Sequence, residues 1–312
     1  MIVIRSILVF LFVSFSQIYD GDNRIDVIDL SESDQRFVQA SVTLVDSRTI
    51  IETGSDTFRL NTNTLEREQG FCPDERFAQH PVVLGSFCSG GLVAPDLILT
   101  SAHCAPSMRE CRRTSIVFGI NSETISSTFN ESSRYSCIDI IPHDYGPEVD
   151  VALIRLNRPV EGVEPLTWRR SGQIAVGDEV FTIGSPRGLT MLHSAGNVSY
   201  VGEQGEGVGT TIDAFTGNSG GLVISREHGV VEGVMTSAQP RRIVYDVTGC
   251  LRWADAEDVD SDTFEAYPDR QWAAGTAYVP ISYFESEMSR YAGSPQRRSP
   301  SFLDRILNRT VE

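Results

Sequence analysis

Short runs of alternating apolar and polar residues recur along most of the chain. Ala40 to Val45, Thr57 to Leu60, Ser115 to Gly119 and Ser136 to Ile141 each carry the period of two expected of a half-buried strand. Gly, Pro, Asn and Ser punctuate these runs, and a helical period emerges only at Ile281 to Ala292. The pattern predicts an all-β fold, a barrel or a sandwich, with a short C-terminal helix. Phe87 to Ala94, the turn residues Pro95-Asp96 and Leu97 to Thr100 read as a hairpin that ends at His103. Such a hairpin brings Cys88 close to Cys104, so these two are expected to form a bridge behind the histidine. Val149 to Leu156 begins with the carboxylate of Asp150 and continues as a mostly apolar strand, ended by Pro159. After a connection over 158–170, a second series follows: Glu179 to Ile183, Gly196 to Val201, Thr210 to Ile212, Gly221 to Ile224 and Val230 to Thr236. Two β units of similar size result, about 36–157 and 158–292, with no sequence repeat between them.

The ends of the chain follow other patterns. Arg5 and the apolar run Ser6 to Ser16, closing on Ser14-Phe15-Ser16, read as a signal peptide over 1–16, too short to span a bilayer. Export to a secreted or periplasmic location follows, without stable membrane insertion once the signal is removed. Residues 17–35 are polar and acidic with little periodicity and read as a leader arm, and 293–312 as a mobile tail. In the acidic insertion between Cys250 and Arg270, Asp258, Asp260 and Asp262 alternate as calcium ligands do. Thr263 stands where a calcium loop needs glycine, so a solvated loop is the favoured reading and no metal is expected.

Composition narrows the chemistry. With 40% apolar and 22% charged residues in 312, the chain has the make-up of a folded domain, and a net charge of -16 argues against a nucleic-acid partner. All 26 basic residues are arginine. The absence of lysine excludes a Ser-Lys dyad, a Schiff base and a Walker-type phosphate loop. Five histidines, His80, His103, His143, His193 and His228, are the candidate general bases. Six cysteines in an exported chain point to disulfides, and no Cys-x-x-Cys spacing favours zinc.

Gly217-Asn218-Ser219-Gly220-Gly221 has the make-up of a nucleophile loop, since flanking glycines let the backbone turn its N–H groups toward a developing oxyanion. The same letters satisfy the Gly-x-Ser-x-Gly elbow of α/β-hydrolases, so chain order has to decide. His103, Asp150 and Ser219 run in the order base, acid, nucleophile. An elbow enzyme needs its histidine well after the serine, yet only His228 follows, nine residues on, and the βαβ alternation is missing. Asp144 and Glu148 compete with Asp150, which is favoured by its place at the head of an apolar strand.

Thr100-Ser101-Ala102-His103-Cys104, Asp150-Val151-Ala152-Leu153 and Gly217-Asn218-Ser219-Gly220-Gly221 together resemble the chymotrypsin/trypsin-like serine peptidases, in particular their bacterial exported branch with Gly-Asn-Ser-Gly. The resemblance spans about 36 to 290. It implies two perpendicular six-stranded antiparallel β-barrels, with His103 and Asp150 from the first and Ser219 from the second. It further implies a Ser-His-Asp triad and an oxyanion hole formed by the N–H groups of Gly217 and Ser219. Asp213 would lie at the base of the specificity pocket, with Thr236, Ser237 and Ala238 on its strand. Asp213 alternatively supports the loop itself. The strand would pair with an extended protein or peptide substrate. No cofactor and no oligomer is implied. Neutral Asn218 replaces the aspartate that pairs with a newly cut N-terminus in the animal branch, so the loop is expected to form without such a cut. The alternative function is a catalytically inactive, peptidase-like binding protein.

Overall fold

In a computed structural model of the chain, residues 18–19, 21–141, 149–202, 207–237, 243–253 and 276–292 are described. The expected signal peptide, the acidic stretch with Asp258 to Asp262 and the tail lie outside these residues, as do His143, Asp144, Glu148 and Ala238.

Alternating side chains close the two expected sheets on themselves. Numbered along the chain, β1 is Ile25–Asp26, and the first barrel uses β2 (Ser41–Asp46), β3 (Ser86–Ala94), β4 (Leu97–Thr100), β5 (Thr114–Phe118), β6 (Arg134–Ile140) and β7 (Ala152–Leu156). Its order is β6-β7-β4-β3-β2-β5, closed and antiparallel. The second barrel uses β8 (Glu179–Gly184), β9 (Leu192–Val201), β10 (Val208–Thr210), β11 (Leu222–Ser225), β12 (Val231–Ser237) and β13 (Thr276–Pro280). Its order is β9-β8-β11-β12-β13-β10, closed by β9 pairing with β10. A 3-10 turn at Ile281–Tyr283 precedes the terminal helix Glu285–Ala292. No helix of the described residues is long and apolar enough to cross a membrane.

Burial explains the closure. Val42, Leu44, Leu92, Ile98, Ile116 and Ile154 fill the first barrel, and Val180, Val198, Val208, Ile212, Val223 and Met235 fill the second. Phe181, Ile183, Leu222 and Ile224 of the second barrel belong to the same continuous apolar cluster as the core of the first. Gly91 of β3 abuts Leu222 of β11 so closely that a Cβ there would collide with the leucine side chain. Buried polar contacts align the same interface: Thr43 Oγ1 and Ser185 Oγ are 2.7 Å apart, and Ser101 Oγ donates to Met235 O at 2.8 Å. Each contributes about 1 kcal/mol net, while an unmatched partner costs more.

All six cysteines pair. Cys88–Cys104 is the bridge expected from the hairpin; Cys111–Cys137 and Cys72–Cys250 are pairings that the sequence left open.

Three features differ from the sequence pattern. Thr57–Arg59 is a strand but joins a small side sheet with Ile51–Glu52 and Phe129–Asn130. The strand Thr276–Pro280, absent from the predicted series, completes the second barrel. The leader arm is packed: β1 pairs with β9 through Ile25 and His193, and Ile18, Tyr19 and Arg24 are buried.

The tight seam between the barrels gives a direct test. Gly91→Val overpacks it and is expected to destabilise the chain by about 1–3 kcal/mol. Urea unfolding measures the loss, and Gly91→Ala falls between Gly91→Val and the unmodified chain.

Candidate active site

His103 sits in the 3-10 turn Ala102–Cys104, directly after β4. Its place is over-determined: Ser101 before it is fully buried and bonded to β12, and Cys104 after it is bridged to β3. β7 pairs with β4 in the register Ala152 to Thr100, which sets Asp150, at the head of β7, beside the histidine. Both carboxylate oxygens engage it. The His103 backbone N–H donates to Asp150 Oδ1 at 2.9 Å, and the ring Nδ1 lies 2.6 Å from Asp150 Oδ2. An ionised carboxylate only accepts, so the ring proton belongs on Nδ1 and Nε2 is left with its lone pair.

The serine loop is shaped by glycine where no other residue fits. Gly217 has φ +104° and Gly220 φ +83°, and a Cβ would collide with Ser185 O at the first and with Ser89 O and Thr100 Oγ1 at the second. Asn218, 2% exposed, closes the turn from inside: its Oδ1 accepts from Phe215 N–H at 2.9 Å, while its own N–H donates to Phe215 O at 2.9 Å. Gly220 N–H donates to Met235 O on β12 at 2.7 Å. On the other side Ser89 of β3 reaches the loop twice, from its N–H to Ser219 O and from its Oγ to Gly217 O, each at 2.8 Å.

These bonds leave two donors over. Among the described residues, the N–H groups of Gly217 and Ser219 have no acceptor. Two such N–H groups in one loop beside a serine are a ready cradle for an anionic oxygen. Cys104 Sγ lies 3.7 Å from Ser219 O, so the His103 turn and the loop share one edge. No hydrogen bond among the described residues joins the His103 ring to the Ser219 hydroxyl; such bonds tighten when substrate arrives.

The other histidines are placed differently. His193 is buried with Nε2 2.9 Å from Arg226 Nη2, and burial followed by the arginine charge pushes its pKa down to about 4. His80 packs edge-on against Phe77. His228 lies beyond β11 in the connection to β12. Cys88, His103 and Cys104 cluster as metal ligands do, but both sulfurs belong to a disulfide and offer no thiolate.

Asp213 departs from the pocket-base reading. It is 1% exposed, and its oxygens take the backbone N–H groups of Tyr19 at 2.7 Å and Asn23 at 3.2 Å. The carboxylate therefore holds the N-terminal arm, a role that the sequence reading did not name. Burial pushes its pKa up to about 7, against the lowering effect of those two N–H groups. Next to it the fully buried Arg24 guanidinium pairs with Asp22 at 2.7 Å and stacks over Trp253 and Phe215, 4.2 and 4.7 Å from their centroids. Phe215 belongs to the serine loop, so the arm and the loop are packed as one. On β12, Thr236 is half-buried and Ser237 pairs with Ala277.

Residues 88–234 match the family model of the trypsin-like peptidase domain. Over that stretch the chain is similar to the trypsin-like peptidases. Among solved structures it resembles the VesB protease of Vibrio cholerae, at 13% identity over 86% of this chain and 67% of that one, with a TM-score of 0.51. A serine endoprotease from Yersinia pestis, at 13% identity over 84% and 66%, gives 0.45. Human heparin binding protein, at 14% identity over 68% and 88%, gives 0.46. At these identities the VesB likeness speaks for the fold alone. No curated protein sequence matches the chain significantly.

Two elements of the candidate site escaped the pattern. The arm binds through main-chain N–H groups, which leave no mark on a sequence. Arg187 lies against the loop in a turn whose only signal was Pro186 before it and Gly188 after it.

Asp213 supplies a pH test. Its pKa is about 7 in the folded chain against an ordinary value of 3.8, so the folded state holds a proton that the unfolded state has already lost. Its contribution is complete below about pH 4 and is lost as pH rises through about 7. Urea unfolding across that range is expected to show this decline, and Asp213→Asn removes it.

Proposed function

We propose that the chain is an exported serine endopeptidase that cleaves peptide bonds through an acyl-enzyme. Ser219 Oγ attacks the scissile carbonyl, His103 Nε2 takes its proton and later returns it to the leaving amine, and Asp150 holds the imidazole in the required tautomer. The carbonyl oxygen, as it gains charge, enters the cradle of the Gly217 and Ser219 N–H groups. The observation that carries this reading is the pair of unpaired N–H groups in a serine loop that shares an edge with a histidine gripped by both oxygens of one carboxylate. Substrate would lie extended along β12 past Thr236 and Ser237, joined through main-chain hydrogen bonds.

The loop is proposed to be competent without a newly cut N-terminus. Asn218 is satisfied by Phe215 within the loop, and the arm residues Tyr19, Asn23 and Arg24 support Asp213 and Phe215 from behind. Residues 18–26 are thus retained in the active chain. Pairing of all six cysteines supports a secreted or periplasmic location.

Labelling with a fluorophosphonate is the test. The purified chain, with residues 18–35 in place, is expected to label at Ser219 and to cleave casein. Ser219→Ala abolishes labelling and, like His103→Ala, lowers kcat/KM by about 10⁴-fold or more. A well-folded chain that neither labels nor cleaves would favour the inactive, binding-protein reading.

A further inference from the structure

Beside the serine loop lies a small cavity of about 220 Å³ between the barrels. Gln69, Ser86, Phe87, Arg187, Thr216 and Gly217 line it. Its position relative to the cut bond follows from the loop's two neighbours. β12, along which the acyl part of a substrate would lie, meets the loop through Gly220 and Met235. β3, which contributes Ser86 and Phe87, meets it from the opposite side through Ser89. The cavity therefore opens on the leaving-group side of Gly217.

Arg187 is built into this wall at a cost. It is a non-glycine residue in the left-handed region, at φ 56° and ψ 22°, a conformation that is costly and persists only where its surroundings enforce it. Three bonds do so. Its N–H donates to Thr216 O at 2.6 Å, its carbonyl accepts from Gln69 Nε2 at 2.7 Å, and its Nε donates to Gln69 Oε1 at 2.7 Å. Gln69 thus clamps the main chain and the guanidinium together, which fixes the direction of the side chain. The terminal Nη1 and Nη2 groups have no partner among the described residues.

The guanidinium lacks a counter-charge. Among the described residues no carboxylate pairs with Arg187, whereas Arg24, Arg134, Arg155, Arg169, Arg226 and Arg252 are each paired in this acidic chain. Burial alone pushes the pKa of Arg187 down, while carboxylates raise those of Arg169 and Arg252. A desolvated, clamped cation without an anion is unfavourable unless something supplies the anion.

We propose that Arg187 binds a carboxylate on the leaving-group side of the substrate, so that bonds followed closely by an acidic group are cut preferentially. Its free Nη1 and Nη2 groups present a planar donor pair that matches a carboxylate in a bidentate fork, and Phe87, 37% exposed, offers an apolar wall for the stem of an acidic side chain. The carboxylate comes either from a Glu or Asp side chain just past the cut bond or from the end of a short peptide. The inference rests on the peptidase reading and extends it to the primed half of the substrate.

Internally quenched peptides of one sequence, amidated at the C-terminus, carry Glu, Asp or Gln at each of the two positions after the cut bond. A further pair carries Gln and ends two residues past that bond as a free acid or an amide. The expected result is a kcat/KM about tenfold higher for Glu or Asp than for Gln at one position, the worth of one charge-assisted hydrogen-bonded contact. A preference confined to the free acid supports the carboxylate site and assigns it to peptide ends. In Arg187→Gln the ratio falls to about one. Arg187→Gly does the same while relieving the backbone, so a folding defect in the first variant does not decide the matter, and Arg187→Lys retains part of the preference. Equal rates in the unmodified chain both across the Glu, Asp and Gln series and between the free acid and the amide overturn the proposal, as does a preference that survives both Arg187→Gln and Arg187→Gly. If the chain labels with fluorophosphonate but shows no preference, only the subsite fails; if it neither labels nor cleaves, the peptidase reading fails and the subsite with it.

Discussion

Ser89 joins the two halves of this molecule. Fully buried on β3 of the first barrel, it donates its N–H to Ser219 O and its hydroxyl to Gly217 O, accepts the Ser185 N–H on its Oγ at 3.0 Å, and accepts Thr100 Oγ1 on its carbonyl at 2.7 Å. Every polar group of the residue is thus spent within the barrel seam. In a water-free seam each of these bonds is costly to lose, so the second-barrel loop can take only one position relative to the first-barrel strands. The neighbours of Ser89 complete the constraint: Cys88 is bridged to Cys104, next to His103, and Thr100 pairs with the strand that Asp150 heads.

From that constraint the candidate chemistry follows. Satisfying the loop's carbonyls from β3 and its turn from Asn218 leaves the Gly217 and Ser219 N–H groups as the unspent donors, since Gly220 N–H is taken by Met235. A loop held this way at rest has no reorganisation to undergo when charge develops, which is the physical content of electrostatic preorganisation. The arm reinforces it from behind, with Asp213 collecting two of its N–H groups and Arg24 lying over the Phe215 ring.

Local information was legible in the sequence and distant information was not. The hairpin of Cys88 to Cys104 closes over 16 residues, and its bridge could be read from two strands and a turn. Cys72–Cys250 closes over 178 residues, and nothing in the pattern selects it. The order His103, Asp150, Ser219 picked the fold because each residue sits at the mouth of an apolar strand or between glycines, marks that survive in one dimension. Asp213 kept two readings open because its partners are backbone N–H groups 190 and 194 residues away, donors that every residue but proline has. Thr276–Pro280 was missed since its five residues do not alternate between polar and apolar and run directly into Ile281. The charge pattern gave no hint that Arg187 would lack a carboxylate among the described residues.

The central claim is that the serine loop is complete before any substrate or new N-terminus reaches it. A crystal structure of the fluorophosphonate adduct of the full chain measures this most directly. The account predicts a phosphorus bonded to Ser219 Oγ, one phosphoryl oxygen within hydrogen-bond distance of both the Gly217 and Ser219 N–H groups, and the bonds of Ser89 and Asn218 unchanged. An adduct whose loop has broken the Asn218 to Phe215 bond to bring those N–H groups into place would contradict it.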